Sequence, residues 1–308
     1  MNTETADLRT APVSAAAGSD TRGILLTLMR REFWEHTALW RVPLIVAGLL
    51  AISTIFSVSI DVHSDRVTHI GDPERIMVLN ITQDVWAAVI YLVASIVVTF
   101  YALDALYTER KDRSILFWKS LPVSDGLTVL SKFLVAVVLV PLGVFVLAIA
   151  SHLIAFTIWK LRVAGGGVPD VINWNAVAWL RGELVIFLCL ILSSLWYAPV
   201  VAGALLLSAW VKRSPLLWAT LPLFLVPIFE YILFRTRYIW NFIQYRSGGI
   251  WHILGTRDGH SVMSEQMRML NDLNWAGAFT SVNLWLGVLA AGAMLYAAAR
   301  IRRYRDDT

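Results

Sequence analysis

The chain has 308 residues, 57% of them hydrophobic and only 16% charged, with a mean hydropathy of +0.64. An ordinary soluble domain carries about 25% charged residues, so a water-soluble fold that hides all this apolar surface in one core is excluded. The net charge of +4 does not indicate a nucleic-acid binder, because the basic residues sit beside apolar blocks, where they orient helices in a bilayer.

Met1 to Asp20 is polar, rich in Ala, Thr and Ser, and lacks the apolar stretch of a cleavable signal peptide, so residues 1–22 are read as a disordered cytoplasmic tail. Residues 23–41 follow as an amphipathic connecting helix, with Leu26, Met29, Phe33, Thr37 and Trp40 at helical spacing and Arg31 and Glu35 pointing elsewhere. A plain topological anchor is the simpler reading of that helix.

Six apolar blocks then fill residues 42–299. Spans are expected at about Val42–Ile60, Val85–Leu103, Phe133–Trp159, Leu184–Val211, Leu216–Phe234 and Ala276–Ala299, each near or above the ~20 residues that cross ~30 Å of hydrocarbon. Pro141 and Pro199 predict tilt or a kink in the third and fourth. Between the fifth and sixth lies a long segment with Gly248-Gly249, Gly255, a helix-like stretch from Ser261 to Asn274, and Trp240, Trp251 and Trp275. Short surface or re-entrant helices are expected there, provided protein covers their backbone groups. The fold class is therefore all-α and polytopic, closed by a basic cytoplasmic tail at 300–308.

Orientation follows from the basic residues. With both termini in the cytoplasm, the inner side holds sixteen of the 26 Lys and Arg residues, including Arg110-Lys111, Lys212-Arg213 and Arg300, Arg302, Arg303 and Arg305. The expected location is the cell (inner or plasma) membrane.

The inner loop between the second and third spans reads Tyr107-Thr108-Glu109-Arg110-Lys111-Asp112-Arg113-Ser114-Ile115-Leu116-Phe117-Trp118-Lys119-Ser120-Leu121-Pro122-Val123-Ser124. Alternating charges lead into an apolar and aromatic patch on an expected helix, which Leu121-Pro122 interrupts. Such a segment suits docking into a protein groove, since Trp and Arg dominate interface hot spots. A charged inner loop resting on lipid headgroups is the alternative.

Glu109-Arg110, Asp112-Arg113-Ser114, Leu121-Pro122-Val123-Ser124 and Ser131-Lys132, with Arg31-Glu32-Phe33-Trp34-Glu35 before the first span, resemble the permease subunits of type-2 ATP-binding-cassette exporters. The six-span layout and the long segment before the last span extend that resemblance over most of the chain after Ile24. It implies a permease that dimerises with a second copy or a paralogue and binds two cytoplasmic ATPase subunits, which carry the ATP and Mg. It further implies that the loop after the second span is a coupling helix, with Glu109, Arg110, Asp112, Arg113, Trp118 and Pro122 touching the ATPase, and that Phe33, Trp34 and Glu35 belong to the connecting helix. The chain itself has no G-x-x-x-x-G-K-[ST] phosphate loop, so it is expected to bind no cofactor and to be no enzyme.

Polar residues inside the apolar blocks are the remaining candidates. Glu230 is the costliest, and is read either as a substrate-path residue or as a carboxylate paired with Arg235 or Arg237. His152 is read as a proton relay or, more simply, as a hydrogen bonder between helices. Asp104 and Glu183 are expected to reach water at span ends. Asp61, His63, Asp65, His69, Asp72 and Glu74 match no closed metal site. Cys189 is read as inert packing, and no metal is expected. The alternatives to a permease are a membrane-embedded enzyme using Glu230 and His152, and an anchor for a soluble partner.

Overall fold

The computed structural model of the chain describes residues 21–56, 72–112, 123–166, 175–254 and 273–304. Among them are six helical stretches long and apolar enough to cross a bilayer: Ala38–Ile55, Ile81–Lys111, Asp125–Ala164, Ala176–Trp210, Pro215–Phe234 and Trp275–Tyr304. These are spans 1 to 6, and the described residues are otherwise almost entirely helical.

A first helix, α1 (Thr21–Glu35), precedes span 1. The continuous helix expected over 23–41 is broken at His36 and Thr37, and span 1 begins at Ala38, four residues before the expected Val42. Arg41 concealed that start. Its guanidinium carbon lies 5.3 Å from the Trp40 ring centroid, so the charge is carried at the helix end while the aliphatic stem follows the apolar surface.

The spans pack through small residues. On span 2, Ala87, Ala94 and Ala102 are buried together with Ile90 and Val98, whereas Val85, Val89, Leu92, Ile96 and Phe100 of the same helix face outward. Span 4 repeats the pattern with Ala198, Ala202, Leu205 and Ala209. Small side chains let helix backbones approach where lipid supplies no hydrophobic drive for association, and the large ones are left for the hydrocarbon. Span 4 runs against spans 2 and 6, and span 1 against spans 2 and 3. Span 5 is peripheral, with only Pro215, Pro227 and Glu230 buried.

Pro141 acts as the sequence requires. The helix that opens span 3 (Asp125–Leu134) widens into a π-helical turn at Val135–Leu139 before resuming at Val140. Proline lacks the N–H for the ladder and its ring crowds the carbonyl four residues earlier, so a widened turn relieves both. Pro199, by contrast, lies within an uninterrupted helix from Ala176 to Trp210.

Beyond span 5 the chain folds back. Arg235, in the left-handed conformation at φ 55°, ends the span. A helix at Tyr238–Ser247 and a 3-10 turn at Gly249–His252 then return along span 4. The Trp196 Nε1–H donates to the Arg246 carbonyl at 2.9 Å, the Arg246 guanidinium donates back to the Trp196 carbonyl and lies 4.3 Å over its ring, and Tyr197 Oη donates to the Ser247 carbonyl at 3.1 Å. Two glycines leave the space. A Cβ on Gly287 of span 6 would come within 2.6 Å of Arg246 Nη2, and one on Gly249, which has φ +71°, within 2.8 Å of Tyr197 Oη. Burial pulls the Arg246 guanidinium below its ordinary range. The helix-like stretch expected from Ser261 lies mostly outside the described residues, as do the metal-like residues Asp61 to His69.

Candidate functional site

One end of the bundle gathers α1, the start of span 3, the last turns of spans 2 and 4, and the end of span 6; it is the basic end. Lys132 sits at its centre, 1% exposed, with its ammonium 2.7 Å from Glu32 Oε1 and 3.0 Å from Glu109 Oε1. The other oxygen of Glu109 is held by Arg302 Nη1, and Arg302 Nε donates to Asp125 at 2.9 Å. The second oxygen of Glu32 accepts from Tyr101 Oη at 3.1 Å. Arg31 closes the network, 3.6 Å from Glu32 and 3.8 Å from Glu109.

This network requires its own completeness. Removing a cation or a carboxylate from a buried pair leaves an uncompensated charge in low dielectric, whereas charges that alternate in sign and are hydrogen-bonded offset their desolvation. The residues come from α1, span 2, span 3 and span 6, and one directly bonded pair, Glu109 and Arg302, is 193 positions apart in the chain. In the sequence Arg302 and Lys132 count toward topology, and Glu32 and Lys132 enter only as parts of the motifs that carry the resemblance; a charged residue within an amphipathic face, such as Glu32 one turn after Leu28, is the available signal for a buried partner.

Next to this network the chain turns through Ala105 and Leu106 into a short helix, Tyr107–Lys111. Ser208 of span 4 stabilises the turn. Its Oγ accepts from Leu106 N at 3.0 Å and Tyr107 N at 2.9 Å, two backbone donors the bend would otherwise orphan. Arg110 donates to the Ser208 and Val211 carbonyls, so it satisfies the end of span 4.

The residues assigned to coupling therefore separate into groups. Glu109 is buried and Arg110 half-buried, both engaged inside the chain. Asp112 is exposed at the close of the short helix. Phe33 is half-buried and stacks on Trp40 at 6.3 Å, Trp34 is 60% exposed, and Glu35 is exposed with its carboxylate 3.0 Å from Arg31 Nε. Arg113, Trp118 and Pro122 lie outside the described residues.

His36 borders the network, 3.5 Å from Glu32. Burial holds its imidazole below the ordinary histidine range, with Glu32 acting in the opposite direction. Glu32, Glu35 and His36 bring ligand atoms within 4.8 Å of one another. Glu32 is already bound to the Lys132 ammonium, so a dication there would meet that charge at close range.

No family model, curated protein or solved structure matches this chain. The functional reading accordingly rests on residues and geometry.

At the opposite end, spans 2, 3 and 4 build a second buried polar cluster. Glu183 Oε1 is 2.7 Å from His152 Nδ1 and accepts from Gln83 Nε2 at 3.0 Å. Glu183 does not reach water as expected for a residue near a span end; it is 3% exposed, because span 4 begins at Ala176 and carries it between spans 2 and 3. Gln83 drew no attention in the sequence, since an uncharged amide near a span end carries no distinctive signal.

Glu230 is engaged by neither of the arginines expected to pair with it. Its carboxylate accepts from Thr236 Oγ1 at 2.8 Å, Tyr238 N at 2.7 Å and Ile239 N at 2.9 Å, capping the fold-back helix from eight residues upstream. A carboxylate at a helix N-terminus meets both the orphan donors and the positive end of the dipole. Arg235 and Arg237 instead lie 5.6 and 5.1 Å from the Tyr231 ring centroid. His152 and Glu230 thus have separate sets of partners, on different helices.

Proposed function

We propose that the chain is the permease subunit of a type-2 ATP-binding-cassette exporter, paired with a second permease copy or a paralogue and driven by two cytoplasmic ATPase subunits that hold the ATP and Mg. In this reading the basic end faces the cytoplasm, both termini are inside, and the membrane is the cell (inner or plasma) membrane. The observation that carries it is the buried network of Glu32, Glu109, Lys132 and Arg302. It joins α1, the short helix after span 2, span 3 and span 6 into one unit, directly beside the loop that the sequence marks for docking.

A motor that pushes on residues 113–122 would act on a lever whose base is fixed to three spans. Glu109 and Arg110 then serve as positioning residues, holding the loop at the ends of spans 3, 4 and 6, while the contact surface falls to Asp112, Arg113, Trp118 and Pro122, with Trp34 and Glu35 exposed on α1. ATP binding shifts such a permease only if its states contact the ATPase conformations differently. No residue is required to perform covalent chemistry. An enzyme using His152 together with Glu230 draws no support from their separate partners.

The test is purification of the tagged chain from its native cells, with mass spectrometry to identify a copurifying phosphate-loop ATPase and an assay of its turnover. Trp118→Ala is expected to abolish the association while the chain still folds. Recovery without any such ATPase, or labelling of Lys119 from outside intact cells, would overturn the reading.

A further inference from the structure

Asp84 of span 2 has a like-charged neighbour and no partner. Its carboxylate makes no hydrogen bond or ion pair among the described residues, and a second carboxylate, Glu183, lies within electrostatic reach of it. Glu183 is itself engaged by Gln83 and His152. Whether the His152 ring is neutral or protonated, that arrangement leaves Asp84 without a cation of its own. An ionisable side chain within a span is costly, and such residues mark pathways or the counter-ions of bound ligands.

Asp84 lines a cavity of about 650 Å³ between spans 2, 3 and 4 and the fold-back turn at Ser247–Ile250. Among the described residues that line it, Asp84 is the one carboxylate, and no Lys, Arg or His is present. Arg246, just before the turn, is instead stacked over Trp196. The rest of the wall is mostly apolar, with the hydroxyls of Ser193 and Ser194 and the rings of Tyr91 and Tyr197 among the exceptions. An apolar chamber with a few polar groups is the usual form of a small-molecule site. On span 2 the lining runs from Asp84 to Thr99, about 22 Å at ~1.5 Å per residue, so the cavity lies at hydrocarbon depth. Leu92, Ile96 and Val200 belong to the lining and are also exposed on the outside of the bundle, so the cavity can be reached from the hydrocarbon.

We propose that this cavity binds a lipid-soluble organic cation with a shielded or delocalised charge and no N–H donors, recognised by the Asp84 carboxylate and by contact with the apolar and aromatic wall. The sign follows from Asp84, which repels an anion and which a neutral molecule leaves uncompensated. The shielding follows from the walls. A compact, strongly hydrated cation would exchange its water for one carboxylate among apolar side chains, whereas a bulky cation has little hydration to lose and gains from the apolar surface and the tyrosine rings. Entry through hydrocarbon selects the same molecules. As a statement about cargo, the proposal rests on the permease reading; as a statement about binding, it concerns this chain alone.

The experiment uses the full chain in lipid nanodiscs and equilibrium dialysis of radiolabelled tetraphenylphosphonium, with uptake by empty nanodiscs subtracted. Tetraphenylborate, of the same shape and opposite charge, is measured separately. Saturable binding of one tetraphenylphosphonium per chain is expected, with none for tetraphenylborate, and Asp84→Asn is expected to weaken it at least tenfold. If Asp84→Asn fails to fold by thermal melting, Ala88→Phe decides: Ala88 lines the cavity one turn after Asp84 from an exposed position, so the larger ring can fill the space without displacing the core. Loss of binding there supports the proposal. No saturable binding, equal saturable binding of tetraphenylborate, or full retention in the deciding variant overturns it. Because no ATPase is present, failure here leaves the permease reading standing, and loss of the ATPase partner leaves this binding intact.

Discussion

Spans 2, 3 and 4 contribute to a buried polar cluster at each of their ends. Twenty residues separate Lys132 from His152 on span 3, about 30 Å at ~1.5 Å per residue, so the two clusters stand roughly one hydrocarbon thickness apart. At the basic end the charges of the buried network alternate in sign: Lys132 between Glu32 and Glu109, Arg302 between Glu109 and Asp125. At the other, neither Glu183 nor Asp84 is paired with a Lys or Arg among the described residues, and Glu183 Oε2, Gln83 Oε1 and His152 Nε2 have no hydrogen-bond partner. The first is built to hold helices in one arrangement. The second leaves buried polar atoms unpaired, so the same kind of buried polarity contributes less to stability there.

Substitution at the two ends should separate them. Lys132→Met leaves Glu32 and Glu109 facing each other without their shared cation, and should destabilise by about 3–5 kcal/mol, seen as a large fall in melting temperature in detergent. Next in size, Ser208→Ala orphans the buried N–H groups of Leu106 and Tyr107, for about 1–3 kcal/mol, and should raise protease sensitivity in the adjoining loop. Gly287→Leu, far from either cluster, intrudes on the Arg246 guanidinium. Overpacking of this kind costs about 1–3 kcal/mol and should expose residues 238–254 to labelling while leaving the basic end protected. Glu183→Gln should change the melting temperature less than these three, since it removes a charge that no Lys or Arg pairs with among the described residues; a loss as large as that of Lys132→Met would erase the distinction between the two ends.

The smallest effect is one of pH. His36 titrates below its unfolded value because burial disfavours the imidazolium, against Glu32 and Glu35, which favour it, and Lys132, which does not. A depressed group contributes stability that is complete above the unfolded value of about 6.5 and declines as pH falls through the folded one. Melting temperature should therefore slope downward below about pH 6.5, and His36→Gln should flatten part of that slope.

Much of the spans was legible before any coordinates. Their number and rough extent follow from apolar length, and Pro141 announced a disturbance in span 3. Boundaries differ where charge sits at a helix end, as with Arg41, or where the first helical turns carry charges ahead of the apolar block, as with Arg181 and Glu183 in the helix from Ala176. The clusters were legible only as unrelated residues. His152 and Glu183 are 31 positions apart and Glu109 and Arg302 are 193 apart, so no local spacing joins them. Glu230 was noticed for its cost, yet its partners are backbone N–H groups, which every residue but proline carries and no sequence distinguishes.

What the sequence determined by itself is a chain of helices matched to the bilayer, because the length of an apolar run is a local property and hydrocarbon thickness is fixed. Only tertiary structure decided which charges meet. A salt bridge or an orphaned acceptor is a relation between helices, set by how small residues let them approach and rotate.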